Sequence, residues 1–118
     1  MMVKWVAHPK KGRCVIATQC IQRDTLIMED PVVIVGFDAI SPGCPLDDYP
    51  IQWTKKHDCI ALGLINLINH SKKPNVRWER NYRRKTLRCY ATTRIKANEE
   101  LVINYACKLW FKPVEQKR

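Results

Sequence analysis

Apolar residues along this chain come in short bursts, each cut off by a turn residue, and no burst is long enough for a substantial helix. Residues 3–8 (VKWVAH) and 14–17 (CVIA) are parted by Pro9-Lys10-Lys11-Gly12, whose proline and glycine predict the turn of a β-hairpin. Thr25 to Glu29 (TLIME) and Val32 to Phe37 (VVIVGF) follow. Asp30-Pro31 divides them into two predicted strands, the second rich in β-branched residues. Residues 38–50 hold Pro42, Gly43, Pro45 and Pro50 and predict a long loop, a kind of segment that often carries function. In residues 61–69 (ALGLINLIN), Leu64, Leu67 and Ile68 stand at helical spacing with room for a turn or two before Pro74. Val76–Asn81 and Thr86–Thr92 predict two strands joined across Tyr82-Arg83-Arg84-Lys85. Leu101–Asn104 predicts a short buried strand after the turn Lys96-Ala97-Asn98, where asparagine tolerates a left-handed conformation. The pattern is that of a mostly β domain of several small sheets with short helical turns.

Composition narrows the class. A chain of 118 residues predicts one domain, 1–118, with a basic tail from about 112 to 118. With 46% hydrophobic and 27% charged residues it should fold around a core rather than stay disordered. No run approaches the roughly 20 apolar residues that span a bilayer, and MMVKWVAHPKKGR has no apolar signal core, so a soluble, intracellular protein is expected. Cysteines stand at 14, 20, 44, 59, 89 and 107, and no two lie two to four residues apart as zinc-binding pairs do. Without a secreted context, free and mostly buried thiols are expected and no metal site.

The formal charge is +10, from 21 Lys and Arg against 11 Asp and Glu, a balance that points to a polyanionic partner. Its distribution is uneven. Residues 72–88 hold Lys72, Lys73, Arg77, Arg80, Arg83, Arg84, Lys85 and Arg88 against Glu79 alone, whereas residues 24–58 carry seven acidic residues against Lys55 and Lys56.

Two segments carry the candidate chemistry: Leu62 to Ile68 running into Asn69-His70-Ser71 and then Pro74-Asn75, and Glu99-Glu100-Leu101-Val102-Ile103-Asn104-Tyr105. Alone, Asn-His-Ser near a proline reads as a turn. Together the segments resemble the two C-terminal motifs of SET-domain protein lysine methyltransferases. Lys11-Gly12-Arg13-Cys14 is similar to that family's N-terminal donor-binding turn, and Ile21 to Glu29 to its next turn and strand. The resemblance covers about residues 3–110 and is closest to the compact versions known from viruses and microbes. It implies a SET-domain fold with a knot-like C-terminal segment.

The resemblance also implies roles. S-adenosylmethionine would be held by Lys11, Gly12, Arg13 and Cys14, by Asn69 near its charged amino-acid part, by His70 near the adenine, and by Trp110 over the adenine. Tyr105 would be catalytic, at the junction of donor and lysine channel, with Tyr49 and Leu109 lining that channel. Cys14 stands where the family often has a second glycine, which would crowd a close backbone approach. Asp24 stands at another common glycine position, in a turn. Leu109 replaces a channel tyrosine.

Methyl transfer to lysine is an in-line displacement that needs position and a neutral amine more than an acid–base triad. Neutralising a lysine of pKa about 10.4 at pH 7 costs about 4.6 kcal/mol. A positive charge about 4 Å away offsets about 4 kcal/mol of that at an effective dielectric near 20.

The expected partner is a lysine-containing protein, most simply a histone tail in the nucleus, guided by Asp47 and Asp48 beside Tyr49. DNA contact is expected through residues 72–88, beside the tail. A homodimer and a non-histone protein substrate remain open. So does a non-catalytic nucleic-acid-binding module in which Trp78, Tyr82 and Tyr90 stack on bases.

Overall fold

The computed structural model describes residues 2–104 and consists, among them, of nine strands and two single-turn 3-10 helices. Strands are numbered β1 to β9 in chain order. The opening hairpin pairs β1 (Val3–His8) with β2 (Gly12–Ala17), in register from Val3 opposite Ala17 to His8 opposite Gly12. Gly12 takes φ +83° at the turn, a conformation that favours glycine, and the His8 ring Nδ1 accepts hydrogen bonds from the Lys10 and Lys11 backbone amides.

Residues 26–36 depart from expectation. Rather than two strands split at Asp30-Pro31, they form one eleven-residue strand, β3 (Leu26–Gly36). Its first half pairs antiparallel with β8 (Thr86–Ala91) and its second half with β5 (His57–Ala61). Pro31 sits where the partner changes, so its missing N–H removes no ladder bond, while its carbonyl accepts from the Leu62 amide at 2.9 Å. The resulting five-stranded sheet runs β4 (Ile51–Gln52), β5, β3, β8, β7 (Val76–Asn81). Neither β4 nor β5 was expected. The His-Asp-Cys-Ile-Ala sequence of β5 has poor strand propensity, and pairing on both sides overrides it.

The predicted helical turn is the 3-10 helix Leu64–Leu67, which touches β1, β2, β3 and β5 and drives Ile65 and then Ile68 into the core. It starts tightly. The Ile65 amide donates to Asp30 Oδ2 at 3.1 Å, and a Cβ on Gly63 would lie 2.5 Å from that carboxylate, so only glycine admits it. Burial pushes the Asp30 carboxyl up, and the Ile65 amide partly opposes this. The 38–50 loop contains the other 3-10 helix, Pro45–Asp48. Asp24 and Asn98 both adopt positive φ, the turn roles anticipated for them.

The core joins the hairpin to the large sheet through Val15, Ala17, Ile21, Ile65, Leu87, Ile95 and Leu101, all fully or almost fully buried. Of the cysteines described, Cys14, Cys59 and Cys89 are buried, Cys44 half-buried and Cys20 exposed, all as free thiols. None of the described helices is long and apolar enough to cross a membrane.

Candidate active site

Local sequence alone cannot explain how the two motif segments meet. β6 (Asn69–His70) and β9 (Val102–Ile103) are two-residue strands that pair in parallel, Asn69 with Val102 and His70 with Ile103. β9 is held on its other approach by β2: the Leu101 amide donates to Val15 O at 2.8 Å and the Ala17 amide to Glu99 O at 2.9 Å. The segment 99–103 therefore lies between the opening hairpin and the 69–75 turn, bonded to both.

Asn75 holds this segment. It is buried at 5% exposure. Its side-chain Oδ1 accepts from the Val102 amide at 2.8 Å, its Nδ2 donates to Glu100 O at 2.9 Å, and its backbone amide donates to Val102 O at 3.0 Å. The asparagine supplies the paired donor and acceptor that a longer strand would otherwise provide.

On the same side, Asn69 joins all three motif segments through one amide group. Its Nδ2 donates to Arg13 O at 2.9 Å and to Glu100 Oε2 at 3.0 Å, while Lys11 Nζ donates to Glu100 Oε1 at 2.8 Å. Both hydrogens of the Asn69 amide are thus committed, and its Oδ1 is left as an acceptor. Partial burial alone would raise Glu100. The hydrogen bonds from Lys11 and Asn69 and the charges of Lys11 and His8 outweigh it and hold the carboxyl below the usual glutamate range.

Lowering the folded-state pKa means that Glu100 contributes stability above its unfolded value, and that this contribution disappears as pH falls through the folded one. Melting temperature is accordingly expected to drop between about pH 5 and the acid side of the usual glutamate pKa of about 4.3, with the drop shallower in Glu100→Gln. Identical acid limbs in a pair of thermal melts would show that Glu100 carries no such linkage.

Of the residues expected at the donor site, Lys11, Gly12, Arg13, Asn69 and its chain neighbour His70 lie within this cluster or on its strands. His70 is exposed on β6. Cys14 is buried on the face of β2 opposite to that of Val15 and Ala17, where the charges of Glu100 and Lys11 act on its thiol. Burial first, and the Glu100 charge second, push its thiol up against the opposing Lys11, which leaves it protonated and unreactive. Tyr49 closes the Pro45–Asp48 turn, half-buried, and no hydrogen bond links it to the Asn69 cluster. Tyr105, Leu109, Trp110 and the basic tail lie outside the described residues. Glu100 was not among the expected site residues. It stands in the second motif segment, but no role was expected of it there, and its bridge with Ile16 brings it beside Arg13 and Asn69.

Beside segment 99–103 a groove of about 620 Å³ runs along β7, walled by Val76, Trp78, Arg80, Tyr82, Ile103 and Asn104. Asn104 is the residue before Tyr105. Arg80 reaches across it, with Nε donating to Gln52 O at 2.6 Å, and burial lowers its pKa.

Comparison with known proteins agrees with this architecture. The family model of the SET domain matches residues 12–106. A histone-lysine N-methyltransferase of Schizosaccharomyces pombe, H3 lysine-37 specific, is 34% identical over 105 residues, which cover 86% of this chain and 71% of that protein. The solved structure of a candidate histone methyltransferase of Plasmodium falciparum superposes with a TM-score of 0.75 at 24% identity, over 94% of this chain and 97% of its own, a likeness of fold.

Proposed function

Because the chain belongs to the SET-domain family and is a protein-lysine methyltransferase, we propose that it transfers methyl groups from S-adenosylmethionine to a lysine of a histone tail. The observation that carries this reading is the junction of Lys11, Arg13, Asn69 and Glu100 into one hydrogen-bonded cluster beside Gly12. Its chemistry fits the donor. The amino-acid end of S-adenosylmethionine carries an ammonium, and the cluster offers the Asn69 Oδ1 acceptor beside the Glu100 carboxylate. At Gly12 nothing lies within 4 Å of where a Cβ would stand, so backbone is open to close approach.

Lys11, Gly12, Arg13, Cys14, Asn69, His70 and Trp110 are proposed to hold the donor, which when bound supplies an electrophilic sulfonium methyl. Asn69 positions Arg13 and fixes the ammonium end. The Glu100 carboxylate, itself pinned by Lys11, keeps the Asn69 amide from rotating. Tyr105, directly after Asn104, is proposed to orient the lysine amine, with Tyr49 and Leu109 lining its channel. Asp47 and Asp48 are exposed at the Pro45–Asp48 turn and would attract a cationic tail. The relative specific for H3 lysine 37 supports a histone substrate, and with it a nuclear site of action.

Incubating the protein with labelled donor and recombinant histone octamer, then mapping methyl-lysine by mass spectrometry, tests the proposal. Methylation of a tail lysine is the expected result. Methylation confined to non-histone proteins when a cell extract replaces the octamer would displace the histone reading, and absence of transfer to any lysine in either would sink it.

A further inference from the structure

We propose that the two ends of β7 form a contact surface for the phosphate backbone of double-stranded DNA, separate from the donor site. The basic segment 72–88 is less free than its composition suggests. Arg77 pairs with Glu79 and lies over the Tyr90 ring at 4.6 Å. Arg84 and Arg88 both pair with Glu29, at 3.1 and 3.3 Å, and Arg80 is committed to Gln52 O. Four cations remain exposed without a side-chain partner among the described residues: Lys72 and Lys73 before β7, Arg83 and Lys85 after it.

These four are two pairs held apart by a rigid strand. β7 has six residues, so the pairs stand about 20 Å apart at ~3.3 Å per residue. Between them both local carboxylates, Glu79 and Glu29, are already neutralised. A stiff polyanion with regularly spaced charge meets both ends at once. About 20 Å is roughly six phosphates along one strand of a duplex at 3.4 Å each.

The aromatic residues decide between duplex and single strand. Tyr82 gives its hydroxyl to Trp53 O at 3.0 Å and sets its ring edgewise on Trp53 with centroids 4.8 Å apart. Tyr90 lies beneath Arg77, and Trp78 packs on the core. Trp78 and Tyr90 are thus packed or covered, and Tyr82, although 57% exposed, is tied by its hydroxyl to Trp53, so these three rings offer no row of free faces for successive bases and phosphate contact without base readout is favoured. Lys72 and Lys73 follow directly on the Asn69-His70-Ser71 segment, so bound DNA lies next to the cluster.

Fluorescence anisotropy with a duplex of about 20 bp, repeated across salt concentrations without donor or histone, tests the surface apart from methyl transfer. Four contacts predict a log–log salt slope of magnitude about 3.6, falling to about 1.8 in either Lys72→Ala/Lys73→Ala or Arg83→Ala/Lys85→Ala, with binding about tenfold weaker in each. Lys55→Ala/Lys56→Ala, which removes the same charge from the exposed β4–β5 turn, should leave the slope unchanged. An equal loss in that control would reduce the effect to net charge and overturn the surface. Single-stranded DNA of the same length binding as tightly as duplex would overturn the assignment to duplex.

Discussion

Asn75→Ala is expected to cost about 3–5 kcal/mol of folding stability, because the buried amide and carbonyl it satisfies belong to backbone that has no other partner and each stranded group costs about 1–3 kcal/mol. The groups are the Val102 amide and the Glu100 carbonyl, bonded at 2.8 and 2.9 Å. The cavity left by the missing side chain adds to the loss. In a domain of this size the melting temperature should fall by roughly 10–25 °C, and the free-energy loss itself is measured most directly by urea titration with the unfolding slope held constant. Asn75→Asp separates the two bonds. It keeps an acceptor for the Val102 amide, loses the donor to Glu100, and sets a carboxylate where Nδ2 now faces Glu99 at 3.3 Å. It should be at least as damaging at neutral pH and recover partly in acid. A loss below about 1 kcal/mol in Asn75→Ala would mean that segment 99–103 is held elsewhere.

The second large effect falls on ligand binding rather than stability. Asn69→Ala should weaken S-adenosylmethionine by about 1.5–3 kcal/mol, roughly 10- to 150-fold, as read by titration calorimetry. It removes the two donors that tie Arg13 and Glu100 together and the acceptor proposed for the donor ammonium. Its effect on stability should be smaller than that of Asn75→Ala, since Asn69 is half-exposed where Asn75 is buried. Glu100→Gln supplies the second corner of a double-mutant cycle. If Glu100 acts through Asn69, the double variant loses little more than Asn69→Ala alone. Full donor affinity in Asn69→Ala, with the fold intact by melting, would refute the site.

The two variants also mark what sequence could and could not reveal. Both hairpins were legible because their signals are local: Pro9 and Gly12 at one turn, and β-branched and aromatic residues flanking Arg83-Arg84 at the other. The motif segments were legible as a resemblance. Their contact was not, because β6 and β9 are two residues each and their pairing rests on side-chain amides rather than on any periodic pattern. Asp30-Pro31 misled for a related reason. Proline and aspartate read as a break, yet the strand continues because its partner changes there and Asp30 is used by the Ile65 amide. Charge was overcounted. Sequence gives eight cations between 72 and 88, while pairing of three with Glu29 and Glu79 and the bond of Arg80 to Gln52 O leave four, a distinction that requires knowing that β3 lies beside β8.

The hydrogen bonds of Asn69 span 56 residues to Arg13 and 31 to Glu100. Closing such loops costs entropy that is recovered only when all three segments are in place, so the cluster has no partial form that a fragment or early intermediate could display. Folding should therefore be slow for a chain of this length, with docking of 99–103 as a late step. A donor that recognises the cluster binds only the fully folded chain, so its binding free energy adds directly to the stability of the whole domain.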